Sequence, residues 1–85
     1  MDDVGSTLRA GRIALGLDIT DVARKTCISF RYLKALEEGN FRCIPNVFDR
    51  GYLKIYANFL SLDAKSLLAR FEEMKNRSLN PPMSM

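Results

Sequence analysis

The sequence predicts an all-α domain of five helices, and three observations support this prediction. Apolar residues recur at the spacing of a helix along most of the chain. The interruptions fall at short segments that contain glycine, proline or a polar capping residue. No stretch alternates apolar and polar residues as a half-buried strand does. A chain of 85 residues with 47% hydrophobic content fits one such domain.

The first two helices are predicted before residue 27. We expect the first over residues 5–15, where Gly16 supplies the left-handed residue that ends it. The second covers residues 19–26 and begins after the capping residue Asp18. The side chains expected to point inward from these helices are Leu8, Ile13, Ala14, Val22 and Ala23.

The third helix is predicted to begin at Ser29 and to end at Gly39. Its expected inward side chains are Tyr32, Leu33 and Leu36. The small Ala23 lets the second and third helices approach closely across a tight connection. This spacing is typical of a helix-turn-helix.

A loop and a long fourth helix follow. Residues 40–44 are expected to form the loop, with Phe41 and Ile44 packed down onto the domain. Pro45 stands where a helix can begin, and the fourth helix is predicted over residues 46–60.

The fifth helix is predicted over residues 64–76, with Asp63 as its capping residue. Its expected inward side chains are Leu67, Leu68 and Phe71. The domain would therefore cover residues 1–76, and residues 77–85 would form a flexible tail.

Charge and composition narrow the function. The net charge is +3, from 13 basic and 10 acidic residues that are interspersed, so the chain could contact phosphates or an acidic protein surface. The sequence has no histidine, and its glycines lie at helix breaks and not in a phosphate-binding loop, so we predict neither an enzyme nor a bound cofactor. No apolar run approaches the roughly 20 residues that cross a bilayer.

The two cysteines, Cys27 and Cys43, lack the spacing and the additional ligands of a zinc site, so no metal is expected. A disulfide is possible in principle, but the charged N-terminus without a signal peptide favours reduced thiols in a cytosolic setting. We interpret both as small apolar residues that fill space near the helix connections.

The fourth helix carries more apolar surface than one core-facing stripe needs. One stripe comprises Leu53, Tyr56, Ala57 and Leu60. A second, centred roughly 120° around the helix, comprises Phe48, Tyr52, Ile55 and Phe59. The polar remainder is Arg50, Lys54 and Asn58. The second stripe is either buried by another helix or a surface for a protein partner. Ile55 and Phe59 are the best candidates for burial, whereas Phe48 and Tyr52, near the helix start, favour the partner surface.

The third helix offers a competing site. In a DNA-binding helix-turn-helix it would present Ser29, Phe30, Arg31 and Lys34 to the major groove. Arg31 and Lys34 suit base or phosphate contacts, but no Asn or Gln stands there to read adenine. A DNA-binding transcriptional regulator is the alternative function.

Several motifs along residues 8–68, about seven tenths of the chain, carry a family resemblance. They are Leu8-Arg9-Ala10-Gly11-Arg12, Gly16-Leu17, Asp21-Val22-Ala23, Tyr32-Leu33-Lys34-Ala35-Leu36-Glu37-Glu38-Gly39-Asn40-Phe41, Ile44-Pro45, Arg50-Gly51-Tyr52-Leu53-Lys54-Ile55-Tyr56-Ala57 and Leu62-Asp63. This pattern resembles the cytoplasmic N-terminal domain of RodZ-type proteins, bacterial cell-shape factors similar in fold to the phage-repressor class of helix-turn-helix proteins.

The resemblance implies a domain at the cytoplasmic face of the inner membrane that binds the actin-like protein MreB and links it to wall elongation. We expect the domain itself to be monomeric. A basic linker and a transmembrane helix would follow in the full protein, so membrane contact would come through a segment absent from this chain. The resemblance places two aromatic residues of the MreB-binding surface at Phe48 and Tyr52. From the helix pattern we add Arg50, Lys54 and Ile55 to the predicted MreB-binding site. Cys27 stands where DNA-binding relatives usually carry a turn glycine, which weakens the resemblance to a repressor.

Overall fold

Five α-helices and one short 3₁₀ helix follow one another in the computed structural model of the chain, which describes residues 4–79, with side chains for residues 4–74. The elements are α1 (Val4–Ala14), α2 (Ile19–Thr26), α3 (Phe30–Glu38), the 3₁₀ helix Phe41–Cys43, α4 (Asp49–Phe59) and α5 (Ala64–Leu79). Residues 4–79 contain no strand. The predicted all-α architecture with a helix-turn-helix is confirmed.

The residues predicted to begin and end helices do so. Gly16 and Gly39 follow α1 and α3 with φ values of 69° and 73°, in the left-handed region that favours glycine. Asp18 belongs to a capping box at the start of α2. The hydroxyl of Ser29 accepts a hydrogen bond from the backbone N–H of Arg31 at 3.2 Å, which begins α3.

The fourth helix starts later than the sequence predicted. Residues 46–48 form a turn, because the backbone N–H groups of Phe48 and Asp49 both donate to the carbonyl of Pro45, at 2.9 and 3.1 Å. Pro45 therefore opens a turn instead of the helix itself. As a result, Phe48 precedes α4 and is not part of it.

The fifth helix begins as predicted and is longer than predicted. The Asp63 carboxylate accepts a hydrogen bond from the backbone N–H of Ser66 at 3.4 Å, and α5 continues to Leu79. The rest of the expected tail, residues 80–85, lies outside the described residues.

The core lies where α3 meets the other helices. α1 and α2 pack on α3, α4 packs on α5, and α2 also contacts α4. The buried apolar side chains are Val4, Leu8, Val22, Ile28, Leu33, Ala35, Leu36, Ile44, Leu53, Tyr56, Ala57, Leu60, Leu67 and Phe71. Ala23, Tyr32, Phe41 and Leu68 are partly buried against this core, as predicted for inward positions.

The predicted inward positions late in α1 are wrong. Ile13 is 56% exposed, and Ala14 is also exposed. The side of α1 that faces the core carries Val4, Leu8 and Arg12, and residue 13 lies roughly 100° or more from that side at the helical period. The periodicity argument failed because the residue in register with Val4 and Leu8 is a charged Arg12.

The prediction that the two cysteines are free thiols agrees with the structure, but the prediction that they fill space near the helix connections is wrong. Both Cys27 and Cys43 are free thiols with exposed side chains. Cys27 ends α2 with φ 63° and ψ 23°, so it adopts the left-handed conformation that a turn glycine would supply. The helix-turn-helix turn therefore keeps its geometry although the glycine is missing.

The helices α1 and α3 approach most closely at Gly5. A Cβ atom at this position would lie 2.2 Å from the carbonyl oxygen of Glu37, which is backbone and cannot move aside without displacing α3. Glycine at position 5 is therefore required by the packing of α1 on α3.

We predict that Gly5→Ala destabilises the chain by about 1–3 kcal/mol, the usual range for overpacking a tight contact. Gly51→Ala is the matched control, since Gly51 lies in α4 and a Cβ atom added there would have nothing within 4 Å, so alanine should raise stability by about 0.5–1 kcal/mol. Denaturant unfolding followed by circular dichroism measures both. Equal stabilities of the two variants would contradict the close approach.

Candidate protein-binding surface

The inner side of α4 packs into the core as the sequence predicted. Leu53, Tyr56 and Ala57 are fully buried, and Leu60, just after the helix, is 4% exposed. These residues face α2, α3 and α5. Their burial fixes which side of α4 is turned away from the domain.

A buried polar network joins α4 to α1 and α3. The Arg12 guanidinium makes two contacts with the Glu37 carboxylate, Nε to Oε2 at 2.7 Å and Nη2 to Oε1 at 3.1 Å. Its Nη1 donates to the carbonyl of Leu17 at 2.8 Å, and the Tyr56 hydroxyl donates to Oε2 of Glu37. The side chains of Arg12 and Glu37 are only 13% and 5% exposed. One carboxylate therefore connects three helices.

The network is electrostatically coupled. Burial, followed by the hydrogen bond to Glu37, raises the pKa of Tyr56 well above its ordinary value, so the phenol stays protonated and remains a donor. The hydrogen bond to Glu37 likewise raises the pKa of Arg12. Removing one partner of such a buried pair leaves an uncompensated charge, which typically costs about 3–5 kcal/mol.

The outer stripe of α4 is only partly covered within the described part of the chain. Phe48 is 49% exposed and Ile55 is 44% exposed, whereas Tyr52 and Phe59 are partly buried. Burial of the whole stripe, one of the two interpretations left open by the sequence, is therefore wrong for Phe48 and Ile55. Val47, which the sequence prediction placed in neither stripe, is 83% exposed beside Phe48.

Three aromatic rings form a continuous stack that begins on this surface. The Phe48 and Tyr52 rings lie with centroids 5.5 Å apart and planes 17° apart. Tyr52 stacks in turn on Tyr32 of α3, with centroids 5.6 Å apart and planes 25° apart. Parallel rings at these distances attract one another. The sequence predicted Tyr32 as a core residue and Tyr52 as a surface residue. In the structure, the two rings are in contact.

The basic residues of the predicted site differ in their surroundings. Arg50 forms an ion pair with Glu72 of α5, with Nε 2.7 Å from Oε2, and both side chains are substantially exposed. Lys54 is exposed and has no ion-pair partner among residues 4–74. Lys54 is thus the more available cation on this side of α4. The Arg50–Glu72 pair was not expected, since no sequence pattern places residue 72 beside residue 50.

A buried carboxylate supports the start of α4. The Asp49 side chain is fully buried, and its Oδ1 accepts the backbone N–H of Arg50 at 2.6 Å. A negative charge at a helix N-terminus is favoured by the helix dipole. Sequence reasoning did not single out Asp49, because it placed the start of the helix at residue 46 and so did not recognise residue 49 as the first residue of α4.

The alternative DNA-binding residues lie on another side of the domain. Phe30 is 46% exposed, and Arg31 and Lys34 are exposed on the same side of α3. The Ser29 hydroxyl is engaged in capping α3. At about 100° per residue, Tyr32 points roughly 150° away from the middle of this basic side, so the two candidate surfaces are separate.

The described residues also bear on metal binding and membrane insertion. Among them, no group of three or more His, Cys, Asp or Glu side chains is arranged to hold a metal ion. None of the described helices combines the length and the apolar character that a membrane span requires.

Comparison with known proteins identifies the family to which the chain belongs. A helix-turn-helix domain family matches residues 7–67. The chain is 34% identical, over 81% of its length, to the cytoskeleton protein RodZ of Streptococcus pneumoniae. The chain is a RodZ-type helix-turn-helix domain. The RodZ-type motifs quoted above contain all three side chains of the network, Arg12, Glu37 and Tyr56.

Other relatives carry less specific names. The RodZ-type domain is 45% identical over 69% of its length to an uncharacterized membrane protein, YmfM, of Bacillus subtilis. It is 37% identical over 68% of its length to an uncharacterized protein of Haemophilus influenzae. The chain spans only 20–25% of the lengths of these relatives. No solved structure shows significant similarity to it.

We predict that Tyr56→Phe lowers the free energy of unfolding of the RodZ-type domain by about 1.5–3 kcal/mol at pH 7, because a hydrogen bond to a buried carboxylate is lost. The difference from the parent should shrink above about pH 10, the ordinary pKa of tyrosine. There the unfolded phenol ionises while the folded phenol, with its raised pKa, does not, so only the parent loses stability through this group. Urea unfolding at pH 7 and at pH 11 tests this, and a difference that stays constant would contradict the network.

Proposed function

We propose that this RodZ-type domain binds the actin-like protein MreB through the outer side of α4. The observation that carries the proposal is the surface at the start and on the outer side of α4, where Phe48 and Ile55 are 49% and 44% exposed and the partly buried Tyr52 stacks on Phe48. Exposed aromatic and aliphatic side chains that are grouped on one rigid helix are typical of protein interfaces.

The relatives support a cytoskeletal role in general. One is named a cytoskeleton protein, and another is named a membrane protein. We accordingly propose that the domain lies at the cytoplasmic face of the bacterial inner membrane and links MreB to the cell-shape and wall-elongation machinery. Its role there is that of a monomeric adaptor without catalytic activity.

The surface suits a partner with an apolar pocket and an acidic rim. Phe48 offers the most exposed ring, and Tyr52 behind it adds a hydroxyl that can stay in contact with water at the interface edge. Lys54 supplies a positive charge without an ion-pair partner in the described residues. Rings in the centre of an interface contribute most of the binding energy, whereas charges at the rim mainly set the association rate.

We predict that Phe48→Ala and Tyr52→Ala each weaken binding to MreB by about 2 kcal/mol or more, because each removes an aromatic contact from the centre of the interface. Lys54→Glu should instead slow association, with an effect that decreases as salt is added. Calorimetry or co-sedimentation with MreB filaments gives the affinities, and the unfolding midpoint of each variant shows whether it remains folded.

Phe30→Ala is the matched control, since Phe30 is as exposed as Phe48, at 46% against 49%, but lies on the opposite candidate surface. It should leave MreB binding unchanged. Leu53→Ala is the core control and should cost about 2–5 kcal/mol of stability. If Phe48→Ala stays folded and keeps full affinity, α4 is not the binding site.

A DNA-binding regulator is the second candidate function. It is favoured by the left-handed turn at Cys27, which preserves the helix-turn-helix geometry, and by the exposed Arg31 and Lys34 of α3. Against sequence-specific reading, the exposed side of α3 has no Asn or Gln, and its Glu38 is also exposed. This arrangement favours contacts to phosphates over contacts to bases.

We predict that binding to duplex DNA is weak, indifferent to sequence and abolished by moderate salt, because few phosphates can be neutralised by so few cations. Gel shifts with two unrelated duplexes at low and physiological salt test this. Nanomolar, sequence-dependent binding at physiological salt that is lost in Arg31→Ala and Lys34→Ala would rank the regulator first.

A further inference from the structure

The most exposed ring of the proposed surface has a fixed backbone, whose carbonyl accepts the N–H of Tyr52 at 2.9 Å, but its side chain is only half enclosed. Phe48 lies in the turn before α4, where its N–H donates to the carbonyl of Pro45 at 2.9 Å. Its ring is half exposed and stacks on Tyr52. The orientation of the Phe48 ring therefore depends on the position of Tyr52.

The position of Tyr52 depends in turn on α3. Tyr52 stacks on Tyr32, which is partly buried against the core. Tyr32 is adjacent in sequence to the fully buried Leu33, so its backbone is held by the packing of α3. The successive ring planes differ by only 25° and 17°, so each ring rests on the face of the next.

We infer that Tyr32 is a positioning residue for the partner-binding surface, whose ring holds Tyr52, and through it Phe48, in the orientation that the partner meets. This inference rests on the proposed function of α4. Aromatic side chains that are already fixed lose less conformational freedom when a partner binds, and this raises affinity without adding a contact. The residues that determine partner binding would therefore include Tyr32 of α3, the second helix of the helix-turn-helix, in addition to residues of α4.

Substitutions at Tyr32 distinguish a positioning role from direct contact with the partner. Tyr32→Leu keeps an apolar side chain but removes the ring, so Tyr52 and Phe48 become free to rotate and MreB affinity should fall about fivefold to tenfold. Tyr32→Phe keeps the ring and should retain affinity within about twofold. In a chain that carries Tyr52→Ala, Tyr32 has no ring to hold, so adding Tyr32→Leu should weaken binding no further.

Phe41→Leu is the matched control. Phe41 is another partly buried ring in an aromatic pair, 4.7 Å from Phe71 and nearly perpendicular to it, but it does not belong to the stack. Its replacement should lower the unfolding midpoint to a similar extent as Tyr32→Leu and leave MreB affinity unchanged. Calorimetry with purified MreB and thermal unfolding are carried out on the whole chain for every variant.

The outcomes distinguish the inference from the proposed function. If Phe48→Ala and Tyr52→Ala keep full affinity, the proposed function fails, and the role of Tyr32 fails with it. If these two variants lose affinity while Tyr32→Leu keeps it, the role of Tyr32 alone is overturned. An equal loss in Tyr32→Phe and Tyr32→Leu, or a further loss when Tyr32→Leu is added to Tyr52→Ala, would show that Tyr32 acts by direct contact or through folding, and would also overturn the inference.

Discussion

The buried ion pair between Arg12 and Glu37, completed by the hydroxyl of Tyr56, sets the relation among α1, α3 and α4. A charged pair taken out of water is costly unless each group finds its partners. Here, no buried side-chain nitrogen or oxygen of the described residues lacks a hydrogen bond. Apolar packing tolerates small shifts, but the bidentate contact between a guanidinium and a carboxylate has one geometry. We consider this contact the constraint that fixes the position of α4 relative to α1 and α3.

The position of α4 has a direct functional consequence. With Tyr56 directed at Glu37, the side of α4 that carries Ile55 faces away from the core, and Phe48 is exposed in the turn that precedes the helix. A polar interaction in the interior thus determines which apolar residues are left on the surface. The same helix serves the core on one side and, in our proposal, a filament partner on the other. The ring stack links this outer side to α3, the second helix of the helix-turn-helix.

Much of the fold followed from local signals in the sequence. Gly16, Gly39, Asp18 and Ser29 mark helix boundaries because each satisfies a backbone requirement within a few residues. The two stripes of α4 could also be predicted, since an excess of apolar positions on one helix is visible in its periodicity. The sequence could not decide whether the second stripe was covered, because that depends on where the other helices run.

The errors have a common physical origin. Ile13 was assigned inward because it is apolar and helical, yet the core-facing position at that level of α1 belongs to Arg12, whose partner Glu37 is distant in sequence. Cys27 was read as a space-filling residue, but its backbone conformation, not its side chain, is what the turn uses. The ion pair of Arg50 with Glu72 and the stacking of Tyr32 on Tyr52 likewise arise only when separate helices meet. Periodicity reports which side of a helix is apolar, but it does not identify partners across helices.

The most direct test of the proposed interface is site-specific photo-crosslinking to MreB. Benzoylphenylalanine replaces Phe48 or Phe30, two rings of nearly equal exposure that lie on different sides of the domain. We predict a crosslink to MreB from position 48 and none from position 30. A crosslink from position 30 but not from position 48 would contradict the proposal, because α3 and not the outer side of α4 would then be the surface that meets the filament.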